Sequence, residues 1–116
     1  ILASVNVIAV VPYLVMKTAA MGRGKAKDAY DIYFLIKHYH GGIGSLARKF
    51  ENCADLNIIQ EMLEKLSGKF ASEQHTGPVD VSDFEEILDE EESEILRRDA
   101  YEQIQALIAE IKKYQK

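Results

Sequence analysis

The chain has no tryptophan, one cysteine and two prolines in 116 residues. The lone Cys53 excludes an internal disulfide framework and fits a reducing compartment, so the expected location is cytoplasmic. It stands in Phe50-Glu51-Asn52-Cys53-Ala54, with no histidine close in sequence, and reads as a small buried side chain rather than a nucleophile. With prolines only at Pro12 and Pro78, the chain has few breakers, which favours long helices over a many-turned β fold. A membrane-spanning run is lacking too. The stretch from Ile1 to Met16 is apolar but too short, holds Asn6 and Pro12, and carries neither a basic flank nor a clear cleavage site. It reads as core, and no membrane is expected. No repeat of solenoid period and no dividing linker occur, so residues 1–116 are expected to form one helical domain.

The composition, 47% hydrophobic and 28% charged, is that of a globular domain with a real core. The net charge of −5 is unevenly spread. Residues 1–50 hold seven Lys/Arg against two Asp/Glu, and residues 51–116 hold seven against seventeen. Overall acidity therefore does not exclude an anionic ligand on the first half, because local charge sets the field at a cleft.

In chain order, Ser4 to Val11 is rich in β-branched residues and reads as a short strand, although a brief apolar run is not typed by its period alone. Such a strand would need a partner, and a homodimer through it is one expectation. Pro12 suits the first turn of a helix to Met21, apolar on most sides and hence buried. Gly22-Arg23-Gly24-Lys25 forms a turn. A helix from Lys27 to Tyr39 follows, closed by Gly41-Gly42. Further helices are expected near 44–52, over 57–67 with an Asn57/Gln60 capping box and Gly68 as its end, and over 79–88 burying Phe84, Ile87 and Leu88. The segment 72–78 reads as a surface loop. The last helix runs from a box at Asp89/Glu92 to about Tyr114. The fold class expected is mainly α: a bundle of about five or six helices plus the short N-terminal strand.

Lys17 to Asp31 concentrates the chemistry. Lys17 lies among Leu14, Val15, Met16, Ala19 and Ala20, where a buried ammonium must find a carboxylate or lose its proton. Asp28 and Asp31, at the start of the next helix, are the carboxylates within reach across the turn. The alternative is a lysine snorkelling on a solvated strip. Arg23, Lys25 and Lys27 beside a helix N-terminus suit an anion, or simply a solvated turn. Gly-x-Gly-Lys lacks the spacing and the Ser/Thr of a Walker phosphate loop. Asp28 and Asp31 suit a metal, an orienting role toward Lys17 and Arg23, or plain helix-dipole matching. His38 and His40 diverge on a helix and His75 is remote, which argues against zinc. Asp80 to Glu94 holds nine carboxylates and no base, a solvated face or a surface for a basic partner, and one that repels phosphate.

The order of a strand, a lysine-bearing helix and Arg23-x-Lys25-x-Lys27-Asp28-x-x-Asp31 opening an aromatic-rich helix resembles the third motif of AbiEii-like nucleotidyltransferases, toxin components of type IV toxin–antitoxin systems. Lys69-Phe70 to Gly77-Pro78 and Arg97-Arg98-Asp99-Ala100-Tyr101 are similar to that family's helical region. The resemblance implies that Lys17 contacts an NTP, that Asp28 or Asp31 completes the catalytic cleft, and that Arg23 and Lys25 assist with phosphates. It also implies Mg²⁺, an RNA or protein acceptor, and an antitoxin. The family's Asp-x-Asp metal motif occurs nowhere here, and Gly44-Ser45 is not its nucleotide-binding turn. The chain, which opens in mid-pattern on Ile1, is therefore expected to be the C-terminal helical part of such an enzyme, inactive alone. The rival expectation is a stand-alone helical interaction module with a structural Lys–Asp cluster.

Overall fold

In the structure, a computed structural model, residues 2–21, 26–85 and 89–116 are described, residues 2–9 as backbone only. They form six helices: α1 (Leu2–Ala20), α2 (Ala26–His38), α3 (Gly42–Arg48), α4 (Asn57–Lys69), α5 (Thr76–Phe84) and α6 (Glu90–Lys112). The fold is mainly helical, as the scarcity of breakers predicts. No strand occurs among the described residues. The Ser4–Val11 stretch expected as a strand falls largely on the backbone-only part of α1, where an apolar run carries no period that separates the two states. Pro12 thus sits inside a helix instead of opening one.

The α6 helix is the spine. Its buried residues Ala100, Ile104, Leu107, Ile108 and Ile111 recur at three- and four-residue steps, the stripe of an amphipathic helix. Around it gather Ile32 and Ile36 of α2, Leu46 of α3, Leu66 of α4 and Val81 of α5, all within 1% of full burial, together with Phe50 and Phe70 from the connections, and α1 joins this core through α2 and α4 with Leu14 fully buried. The α2 helix packs on α1 at one side and on α5 and α6 at the other. Its two polar margins therefore face different neighbours.

Local chemistry explains the ends. Gly41 and Gly42 adopt φ of +90° and +82°, a left-handed turn open to glycine, and they stop α2 as expected. Asp89 accepts from the Glu92 N–H at 2.8 Å and caps α6. Lys65 Nζ donates to the Ala19 carbonyl at the end of α1.

Five expectations are corrected. Asn57 is the first helical residue of α4, behind Leu56, and makes no cap; Gln60 turns to the Asp55 carbonyl instead. The α4 helix passes through the exposed Gly68 to Lys69, because burying Phe70 just beyond it outweighs one glycine's propensity cost of about 1 kcal/mol. The α5 helix starts three residues earlier than expected and takes in Gly77-Pro78. Proline suits a first turn, and a Cβ on Gly77 would lie 2.6 Å from the fully buried Phe70 ring. Finally α1 is not buried all round, since Pro12, Met16 and Ala19 are exposed, and Phe84 of α5 is 41% exposed rather than buried. Ile87 and Leu88 lie outside the described residues.

Candidate functional site

Lys17 stands in the last turn of α1 and Asp28 and Asp31 in the first turns of α2. Packing of Leu14 of α1 and of Met21 just beyond its end with Ala29 and Ile32 of α2 in one core draws these polar margins together. The Lys17 ammonium donates to Asp31 Oδ2 at 2.8 Å and, more weakly, to Asp28 Oδ1 at 3.4 Å. Its charge also lies 5.7 Å from the Tyr13 ring centroid, within cation–π reach. Lys27 donates to the same Asp31 oxygen at 2.8 Å from the exposed side. The paired ammonium, not the snorkelling lysine, is what the structure contains.

The three central side chains are 18% (Lys17), 14% (Asp28) and 19% (Asp31) exposed, so water screens them only in part. The hydrogen bond to Asp31 holds the Lys17 ammonium above its ordinary pKa, against a smaller opposing effect of burial. Burial would raise the Asp31 carboxyl, yet the bonds from Lys17 and Lys27 outweigh it and hold it below the usual carboxylate range. Lys17 and Asp31 therefore both stay charged at neutral pH. Among the described residues two of the three N–H donors on Lys17 have acceptors, and the third has the chemistry to meet an anion such as a phosphate oxygen. Arg23 and Lys25 lie outside the described residues.

Asp28 and Asp31 do not suit Mg²⁺. That ion takes octahedral oxygen ligands and binds through one or two carboxylates left open to it. Here a lysine ammonium occupies the space between the two, and a second lysine shares Asp31. Among the described residues no group of three or more His, Cys, Asp or Glu side chains is placed to hold a metal. His38 packs its ring beside Phe34, and His75 Nδ1 lies 2.7 Å from Ser72 Oγ. Cys53 is half-buried, and burial pushes its thiol pKa up, away from thiolate reactivity.

The opposite margin of α2 carries a polar network that the sequence reading overlooks. Tyr33 Oη donates to Asp99 Oδ2 of α6 at 2.5 Å, Lys37 Nζ donates to the same oxygen at 2.8 Å, and Gln103 approaches Oδ1 at 3.4 Å. Burial, with the Asp99 carboxylate accepting from it, pushes the Tyr33 phenol well above its ordinary pKa. Burial would raise Asp99, but the Lys37 and Tyr33 donors hold it low. The available signal was a pair of polar residues spaced by four on each helix, Tyr33/Lys37 and Asp99/Gln103, which puts each pair on one helix face.

Among the described residues no helix is long and apolar enough to cross a membrane. Set against known proteins, the chain matches no family model, no curated protein and no solved structure.

Proposed function

We propose that this chain is the helical part of an AbiEii-like nucleotidyltransferase, which moves a nucleoside monophosphate from an NTP to an RNA or protein acceptor. The observation that carries the reading is Lys17 of α1, held charged by Asp31 and Asp28 of α2, with a third donor unused among the described residues. A fixed ammonium of this kind offsets negative charge on a transferring phosphoryl group without reorganising. In this reading Lys17 meets the triphosphate, Asp31 and Asp28 set its direction, and Arg23 and Lys25 contribute phosphate contacts. With no Asp-x-Asp in the sequence, the Mg²⁺ ligands are supplied by residues outside these 116, and the chain alone transfers no nucleotide. An antitoxin partner belongs to the same proposal.

The saturation of Asp31 by two lysines favours a second reading, a helical interaction module whose Lys–Asp cluster only fastens α1 to α2. The reading frame upstream of Ile1 separates the two. A Gly-Ser turn with Asp-x-Asp supports the transferase, and an in-frame start next to Ile1 supports the module. The binding test is calorimetry of ATP, GTP, CTP and UTP with the intact gene product. Lys17→Ala and Asp31→Ala should each weaken NTP binding about tenfold or more while the far-UV circular dichroism spectrum is kept. Binding of all four nucleotides at unchanged affinity in both variants refutes the site.

A further inference from the structure

Glu85 and Glu92 of the acidic run and the aromatic side of α2 are not used by the Lys17 cluster, and they meet at a second surface. An open groove of about 570 Å³ runs between α2 and α6, with Tyr30, Phe34 and His38 along one bank and Glu92, Ile95 and Asp99 along the other. Phe84 stacks on Tyr30 with centroids 4.7 Å apart and widens the aromatic bank. Phe34 is 50% exposed, Phe84 41% and Ile95 64%, in a chain whose other large apolar residues are mostly buried. Two large side chains left in water in the groove, Phe34 and Ile95, with Phe84 beside it on Tyr30, form the kind of patch that marks an interaction site.

The charges around it select the occupant. Asp99 on the floor is already matched by Lys37 and Tyr33. The rim carboxylates Glu85 and Glu92, and the neighbouring Glu91 and Glu94, pair with no lysine or arginine among the described residues. A single-stranded nucleic acid would find aromatic rings to stack on, but it would bring its phosphates against these carboxylates. A cationic protein segment meets both features at once. From Tyr30 to His38 the groove follows α2 for about 12 Å, roughly two helical turns. That is the reach of apolar anchors at i, i+3 or i+4, and i+7 on a docked helix.

We infer that this groove docks a basic amphipathic helix of a partner protein, its apolar face on Phe34, Phe84 and Ile95 and its lysines or arginines on Glu85 and Glu92. The inference does not rest on the transferase reading, because it uses none of the Lys17 cluster.

The chain carries no tryptophan, so the label goes on the probe: a fluorescein-tagged helical peptide of leucine and lysine, with leucines spaced i, i+3, i+4, i+7. Fluorescence anisotropy should show saturable binding that weakens with salt. Phe34→Ser and Ile95→Ser, both at exposed positions, should each weaken it at least tenfold with an unchanged circular dichroism spectrum. The double variant Glu85→Gln/Glu92→Gln should weaken it at least threefold and flatten the salt dependence. Amide shifts in ¹⁵N-labelled protein should cluster at Tyr30, Phe34, Phe84 and Ile95. The inference is overturned by any of four results: no binding, equal binding of the matched leucine–glutamate peptide, tighter binding of a poly-uridine strand at the same residues, or shifts confined to another surface. It is overturned as well if sedimentation shows a dimer of this chain that Phe34→Ser dissolves, since the occupant is then a second copy.

Discussion

Replacing Lys17 by methionine isolates the ion cluster from the packing beneath it, since methionine keeps most of the apolar stem and removes the ammonium. Exposed pairs contribute about 0.2–1 kcal/mol, whereas deleting one partner of a fully buried pair costs about 3–5 kcal/mol. The cluster lies between these limits, with all three side chains under one-fifth exposed. Without Lys17, Asp28 loses its ion-pair partner, while Asp31 keeps Lys27 at 2.8 Å. A cost of about 2 kcal/mol follows from these bounds. Lys27 is 63% exposed and its removal should cost less than about 1 kcal/mol. Lys17→Met/Asp28→Asn should recover part of the loss, because it removes the carboxylate that Lys17→Met leaves uncompensated. The assay is urea unfolding followed by far-UV circular dichroism. At roughly 1–2 kcal/mol per molar urea, Lys17→Met should move the midpoint by about 1–2 M. A shift under about 0.3 M, or one no larger than that of Lys27→Met, refutes the claim that burial makes the Lys17 pair the stronger one.

Thr18 is 1% exposed and its hydroxyl has no hydrogen-bond partner among the described residues, so the near-isosteric Thr18→Val should raise stability by about 1 kcal/mol in the same urea assay. Gly77→Ala should destabilise by about 1–3 kcal/mol, because the new methyl meets the Phe70 ring, which the core holds in place; a midpoint equal to wild type would contradict the contact. Asp31 and Asp99 have folded-state pKa values below their unfolded ones, so the folded state binds fewer protons, and their stabilisation is present above the ordinary carboxyl pKa and is lost as pH falls through the depressed values. Urea midpoints measured from pH 6 down to pH 2 should therefore drop less in Asp31→Asn and Asp99→Asn than in wild type. The Lys17 and Tyr33 pKa values are raised, so their stabilisation is complete below the unfolded values and fades as pH climbs through the folded ones; Tyr33→Phe should flatten the alkaline limb above about pH 10.

What the sequence made legible is what local rules determine. Two helices separated by only a few residues oblige Lys17, set among apolar neighbours, to find a carboxylate nearby, and Asp28 and Asp31 stand on the facing start of α2. The Asp89 cap and the Gly41-Gly42 stop are local in the same sense. The Tyr33–Lys37–Asp99 network is of another kind. It joins helices 62 residues apart in sequence for the Lys37 pair, and nothing in either helix names its partner until the core stripes of α2 and α6 are packed. The exposed aromatic bank was hidden for a related reason. Tyr30, Phe34 and Phe84 satisfy helical periodicity as well as any core residue, and only the placement of α5, which starts early because Pro78 suits its first turn, leaves Phe84 on the surface. Chemistry confined to one turn could be read from the chain. Chemistry made by two distant helices sharing a face required the packing, and both margins of α2 carry charge because that one helix takes part in each kind.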